Sequence, residues 1–172
     1  MTLILGIDPG SRVTGYGVVA IEKNKSVHVD SGCLEMADLA LDARLRVIFA
    51  GLTAVIREHR PDEVAIEKIF MNRNADSAIK LGQARGAAIV AAAMCDVPVY
   101  EYSPNEIKLA VVGRGHATKD QVQHMVKALL TLQGTLRADA ADALAVAICH
   151  GHTRQSLATV AGARGTRAGR WL

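Results

Sequence analysis

Aromatic residues are scarce in this chain of 172 residues, with two Phe, three Tyr and one Trp making up 3% of it. This scarcity excludes a core built on aromatic packing. Half of the residues are nevertheless apolar, so we expect a core of Val, Ile, Leu and Ala. A chain of this length suits one globular domain.

Long apolar runs and paired cysteines are also missing. The apolar stretch 86–95 is too short to span a bilayer. No basic leader precedes Asp8, which interrupts the first apolar run, so neither a signal peptide nor a membrane contact is predicted. The three cysteines lie far apart and form no CxxC pair, which indicates reduced thiols and a cytoplasmic protein.

Acidic residues are absent from the end of the chain. After position 151 there are four arginines and no Asp or Glu, so the rest of the chain carries 16 of the 20 basic residues and all 17 acidic ones. We predict a domain over residues 1–152 and a basic, flexible tail over residues 153–172. Such a tail either keeps the protein in solution or contacts nucleic acid.

Apolar runs between turn residues predict five strands, within residues 3–7, 15–20, 26–33, 63–67 and 97–102. Helical spacing predicts helices over residues 40–59, 76–94, 118–130 and 138 to about 150. Another helix begins at a capping box formed by Ser103 and Glu106. This order predicts an α/β fold with a five-stranded mixed sheet, three antiparallel strands then two parallel ones, and helices on both faces.

Four acids stand out against apolar surroundings. Asp8 and Glu67 end apolar strands, where a buried carboxylate needs a compensating partner; Asp8 could instead cap a turn, and Glu67 could lie on a polar face. Asp139 and Asp142 share one face of an Ala-rich helix, either as helix-start acids or as metal ligands. If the sheet brings all four together, their charge of about −4 suits two Mg²⁺ ions, with Mn²⁺ as a substitute.

Several other residues are candidates for contacts with a phosphate backbone. Lys108, Lys119 and Arg114 surround a Gly-rich loop and are either a cationic rim or ordinary solvated side chains. Phe70, followed by Arg73, is either a wedge that stacks on an unpaired base or a core or interface residue.

Two further patterns are ambiguous. Small residues at positions 78, 82 and 86 serve either packing on the sheet or a helix pair across a two-fold axis. The run Cys149-His150-Gly151-His152 is interpreted as a helix end rather than a zinc site.

The motifs taken together resemble the RuvC family of bacterial Holliday-junction resolvases. They are GIDPGSRVTGYG at 6–17, AIEKIF at 65–70 with NADS at 74–77 and LGQARG at 81–86, VVG at 111–113 through Lys119 with QVQHMV at 121–126, and ADAADALA at 138–145. The resemblance implies a ribonuclease-H-like fold and a homodimer that makes paired, Mg²⁺-dependent nicks in four-way DNA junctions. It also implies cooperation with the RuvA–RuvB branch-migration proteins in recombination, repair and the SOS response.

By motif position, the resemblance assigns the catalytic and metal-binding roles to Asp8, Glu67, Asp139 and Asp142. It places Lys108 and Lys119 near the DNA backbone, and it makes Phe70 the residue that stacks on a base opened at the junction. Three alternatives remain open at this point: an ATPase with a related phosphate loop, a nuclease that processes ribosomal RNA, and a junction-binding protein without chemistry.

Overall fold

The computed structural model describes residues 1–23, 25–69 and 75–164, with side chains described to position 157. The strands are β1 (Thr2–Asp8), β2 (Val13–Glu22), β3 (Lys25–Glu35), β4 (Glu63–Glu67) and β5 (Val99–Tyr102). The helices are α1 (Leu41–His59), α2 (Ala75–Ala93), α3 (Pro104–Val112), α4 (Lys119–Leu129) and α5 (Ala138–Arg164). Within the described ranges, no helix is both long enough and apolar enough to cross a membrane.

The five strands form one mixed sheet in the order β3-β2-β1-β4-β5. The first three strands pair antiparallel, whereas β4 runs parallel to both β1 and β5, which confirms the predicted topology. Ile7 of β1 lies opposite Ile66 of β4 in the register. Asp8 and Glu67, the next residues along, therefore end two adjacent parallel strands at the same edge of the sheet.

The two faces of the sheet are covered by different helices. Because side chains alternate along a strand, Leu5 and Ile7 pack in a cluster with α1 and α2, while Ile4 and Ala65 pack in a cluster with α3, α4 and α5. Tyr102 is the one aromatic side chain in the buried apolar core of the described residues. The expectation of an aliphatic core is confirmed.

The backbone of helix α5 lies directly against the backbone of the sheet, with almost no side chains between them. A Cβ atom on Gly6 would fall 2.1 Å from the carbonyl oxygen of Ala143, and one on Gly15 would fall 2.0 Å from that of Asp139. Glycine at these strand positions therefore allows the helix backbone to touch the sheet. Helices α3 and α4 pack on the outer side of α5, which makes α5 the central helix of the fold.

The predicted end of the last helix near His150 was wrong, because α5 continues to Arg164. Gly151 does not end the helix; it is buried beside the Ile21 side chain. Arg154, one turn later, forms an ion pair with Glu63 of β4. The tail predicted over 153–172 thus begins inside α5, and its residues 165–172 lie outside the described residues.

Candidate active site

Three of the four predicted acids line one cleft of about 190 Å³. Asp8 and Glu67 come from the sheet edge and Asp142 from α5. The opposite wall is formed by the beginnings of α3 and α4, which contribute Pro104, Ile107, Lys108, Lys119 and Val122. A larger cavity of about 260 Å³ between α1 and α2 has no acidic side chain in its lining, so the carboxylate chemistry belongs to the smaller cleft.

Asp139 lies one helical turn before Asp142 and is not among the residues that line the cleft. Its carboxylate still acts on the cluster, because its negative charge contributes to the raised pKa values of Asp8 and Asp142. The contact of its carbonyl oxygen with Gly15 holds this turn of α5 on β2, directly beside the end of β1. The fold thus brings all four acids to one corner of the sheet.

The cluster carries more negative charge than its surroundings compensate. Burial, followed by the charges of Glu67 and Asp142, raises the pKa of Asp8 to about 8. Burial and the charge of Asp142 also raise the pKa of Glu67, against the lowering effect of a hydrogen bond from Asp8. Without a metal ion, Asp8 therefore keeps its proton at neutral pH and donates a hydrogen bond to the Glu67 carboxylate.

Lys119 is the cation nearest to the acids. Its Nζ lies 3.3 Å from Oδ2 of Asp142, although 81% of its side chain is exposed. Its charge lowers the pKa of Asp142, while burial, the larger effect, raises that pKa. Lys119 is the first residue of α4, and a capping box between Thr118 and Gln121 fixes that helix end. Its ammonium group is thus held at the mouth of the cleft and faces solvent.

The other residues predicted to contact DNA lie in different places. Lys108 lines the cleft from α3, and its charge lowers the pKa of Glu67. Arg114 is exposed in the loop after α3 and is not among the cleft residues. Phe70 and Arg73 lie outside the described residues. Lys108 and Lys119 are therefore the predicted DNA contacts that the structure brings to the acids.

The donor set fits a hard divalent cation. Carboxylate oxygens are the preferred ligands of Mg²⁺ and Mn²⁺, and a cluster that retains a proton near pH 8 would exchange it for a cation. In the parts of the chain that the structure describes, no three His, Cys, Asp or Glu side chains are grouped closely enough to hold an ion as they stand. The carboxylates would have to draw together on binding.

Sequence reasoning missed one residue that supports the cleft. Arg85 of α2 donates from Nε to the carbonyl oxygen of Glu67 (3.3 Å) and forms an ion pair with Glu101 of β5. It ties the end of β4 to α2 and β5. An arginine in a helix gives no signal of such a contact until the neighbouring strands are placed.

Comparison with known proteins identifies the family to which the chain is similar. A family model described as crossover junction endodeoxyribonuclease RuvC matches residues 4–150. The chain is 60% identical over 162 residues to the RuvC protein of Pseudoalteromonas translucida (strain TAC 125), covering 94% of this chain and 93% of that one. It is 57% identical over 167 residues to RuvC of Shewanella piezotolerans (strain WP3 / JCM 13877), covering 97% and 96%.

A solved structure is similar as well. Thermus thermophilus RuvC in complex with Holliday junction substrate matches with a TM-score of 0.85 at 36% identity, covering 91% of this chain and 96% of that one. The likeness therefore extends over nearly the whole of both chains.

Proposed function

The chain belongs to the RuvC family of crossover junction endodeoxyribonucleases, and from that premise we propose that Asp8, Glu67, Asp139 and Asp142 hold its catalytic metal ions. Its fold is the ribonuclease-H-like fold of that family, and its activity is the resolution of Holliday junctions. Membership also implies dependence on a divalent metal. The observation that carries the site assignment is the convergence of the acids on Asp8, whose pKa is raised to about 8.

We propose two Mg²⁺ ions, with Mn²⁺ as a substitute, because four ionised carboxylates carry a charge of about −4. When bound, such ions supply an acidified water and stabilise charge on the leaving oxygen during in-line displacement. Hydrolysis of this kind leaves a 5′-phosphate and a 3′-hydroxyl. The protein itself contributes carboxylates that already share one cleft and would draw together when the ions bind.

The side chains around the acids have separate tasks. Asp8 must lose the proton it donates to Glu67 before both carboxylates can act as ligands, so metal binding releases a proton. Lys119 forms an ion pair with the Asp142 carboxylate, and because its side chain is exposed it can turn to a phosphate oxygen when DNA binds. Lys108 faces the same cleft and can contact the neighbouring phosphate.

We propose a wider DNA-binding rim that continues from these lysines to Arg114. Phe70, with the stacking role that the family resemblance implies, and Arg73 are assigned to the same surface from the sequence alone. Phosphate contacts by Lys and Arg supply affinity that falls with salt, and a stacked aromatic adds roughly 1–3 kcal/mol for an unpaired base.

A homodimer is proposed from one face of α2. Ile79 and Val90 are 62% and 50% exposed, and a Cβ on Gly82 or Gly86 would meet nothing within 4 Å. The small residues at 82 and 86 therefore do not serve packing on the sheet. They leave an apolar strip suited to close approach of a second α2 across a two-fold axis, and two active sites would then make paired, symmetrical nicks.

The biological setting follows from the family and stays a proposal. We assign the enzyme to recombination, DNA repair and the SOS response, acting after RuvA–RuvB branch migration. Three free cysteines support a reducing, cytoplasmic location. The division into a nuclease domain over 1–152 and a basic C-terminal tail over 153–172 is likewise proposed, with the four arginines of the tail near DNA.

The experiment that tests the assignment compares Asp8→Asn with the unchanged chain on a synthetic mobile four-way DNA junction. We expect Mg²⁺-dependent nicks, one on each of two opposing strands, from the unchanged chain and none from Asp8→Asn. Junction binding in EDTA should remain within about 3-fold, because the variant keeps the shape of the side chain. Asp62→Asn is the matched control and should nick normally, because Asp62 directly precedes β4 and lies at the opposite end of that strand from Glu67.

The same assay separates the alternatives. A structured RNA offered at equal concentration should be cut far more slowly than the junction. Nicking by Asp8→Asn at the unaltered rate would refute the catalytic assignment. A chain that binds the junction but never cuts it would refute the metal site as a whole.

A further inference from the structure

A second buried polar cluster lies on α5, two helical turns beyond the acids. His150 is 2% exposed. Its Nδ1 lies 2.6 Å from the Tyr102 hydroxyl, and its Nε2 lies 2.6 Å from Oε2 of Glu63. Arg154 forms an ion pair with the same Glu63. The cluster therefore connects α5 to β4 through Glu63 and to β5 through Tyr102.

The hydrogen bonds are consistent with one protonation state. Burial lowers the pKa of His150 and raises the pKa of Tyr102 to about 12, so both rings are neutral at neutral pH. The Tyr102 hydroxyl donates to Nδ1, and Nε2–H donates to the Glu63 carboxylate. Buried groups of this kind are often no more stabilising than apolar residues of the same size, but their directional bonds specify one arrangement.

The distance along β4 from Glu63 to Glu67 is similar to the distance along α5 from Asp142 to His150. Glu63 and Glu67 lie four residues apart on β4, a span of roughly 13 Å at about 3.3 Å per residue. Asp142 and His150 lie eight residues apart on α5, a span of about 12 Å at about 1.5 Å per residue. The helix and the strand run antiparallel, because Glu67 and Asp142 share the cleft at one end and Glu63 contacts His150 at the other.

Tyr102 adds a connection to the other wall of the cleft. It is the register partner of Glu67 in the β4–β5 pair, and it precedes Ser103, the N-cap of α3. Helix α3 supplies Lys108 to the cleft. The Tyr102–His150 bond therefore holds the start of α3 and the middle of α5 in a fixed relation.

We propose that His150 is a positioning residue, which uses its bonds to Glu63 and Tyr102 to set the separation of Glu67 and Asp142 for divalent metal binding. The inference rests on the proposed metal site. It assigns a role in the nuclease to a histidine that is buried and does not line the cleft. Outer contacts that orient metal ligands change metal affinity by about 10–100-fold when they are removed.

The test measures Mn²⁺ binding to the DNA-free protein by electron paramagnetic resonance, together with thermal unfolding in EDTA and junction binding in EDTA. We expect Tyr102→Phe and His150→Gln to weaken Mn²⁺ binding about 10-fold while junction binding stays within 3-fold. Tyr100→Phe is the matched control, because its ring packs on His150 and its hydroxyl is not part of the Glu63–His150–Tyr102 chain. It should bind Mn²⁺ normally.

Asp142→Asn separates a failure of the metal site from a failure of the positioning role. If Asp142→Asn loses Mn²⁺ binding but Tyr102→Phe and His150→Gln do not, the positioning role of His150 is wrong and the metal site stands. If Asp142→Asn also binds Mn²⁺ normally, the metal site is wrong and the positioning role goes with it. Should His150→Gln fail to fold, Tyr102→Phe, which removes one hydroxyl, still decides the question.

Discussion

Replacing Gly15 by alanine should disable the nuclease without touching a carboxylate. The added Cβ would lie 2.0 Å from the carbonyl oxygen of Asp139 and 3.1 Å from the backbone nitrogen of Ala140. Both are backbone atoms, so no side-chain rotation can relieve the contact. The first turns of α5, which carry Asp139 and Asp142, have to move away from the sheet.

The size of the movement follows from that distance. Real Cβ atoms essentially never come within 3.0 Å of such neighbours, so a contact of 2.0 Å requires a shift of at least about 1 Å. Overpacking of this kind costs about 1–3 kcal/mol of folding free energy. For a chain of this size, 2 kcal/mol lowers Tm by about 4–8 °C. A displacement of 1 Å at a catalytic group can lower the rate by about 100-fold.

The assay is single-turnover nicking of a synthetic junction in Mg²⁺, at a temperature well below the measured Tm of the variant. Gly115→Ala is the control, because a Cβ at Gly115 would meet nothing within 4 Å. We expect a loss of about 100-fold for Gly15→Ala and less than 2-fold for the control. Nicking by folded Gly15→Ala within 3-fold of the unchanged chain would show that the contact of α5 with the sheet does not set the acid geometry.

Three further predictions concern charge and assembly. Lys119→Ala should change Tm by less than about 2 °C, because an exposed ion pair contributes about 0–1 kcal/mol. It should also reduce the slope of the logarithm of the junction-binding constant against the logarithm of salt concentration by about one unit. An unchanged slope would exclude a phosphate contact. Burial disfavours the ionised form of Asp8 and raises its pKa from 3.8 to about 8. With respect to this group the fold is therefore most stable below pH 3.8, and it loses that stability as pH rises to about 8. The Tm advantage of Asp8→Asn in EDTA should therefore grow between pH 5 and pH 8.5, and a constant difference would contradict it. Ile79→Glu should convert the proposed dimer into monomers in sedimentation equilibrium, and a dimer that survives would move the interface away from α2.

Much of the fold could be predicted because its signals are local. The strand ends at Asp8 and Glu67 follow from apolar runs closed by an acid, and the helix start at Ser103 follows from its capping box. The end of α5 could not be predicted in this way. Gly151 is a local stop signal, and it is overridden by distant contacts, the packing beside Ile21 and the Arg154–Glu63 pair.

The sequence singles out the four acids as candidates, but it does not give their arrangement. Each acid alone had an ordinary explanation, and it is the parallel pairing of β1 with β4 that brings Asp8 beside Glu67. The same pattern could not separate Asp142, which lines the cleft, from Asp139, which acts on it from one turn away. His150 looked like a helix-end residue, since its partners lie 48 and 87 positions away along the chain.

Helix α5 is held at two points, and this makes a last prediction about coupling. Gly15 holds the end that carries Asp139, and Tyr102 holds the region of His150. Changes at distant sites without shared partners normally add in free energy. If α5 moves as one rigid body, however, a helix already displaced by Gly15→Ala has less alignment left to lose. Tyr102→Phe should then weaken Mn²⁺ binding about 10-fold in the unchanged chain but no more than about 2-fold in Gly15→Ala. Equal effects in both backgrounds would mean that the two ends of the helix adjust independently and that the Tyr102–His150 bond does not act on the acids through α5.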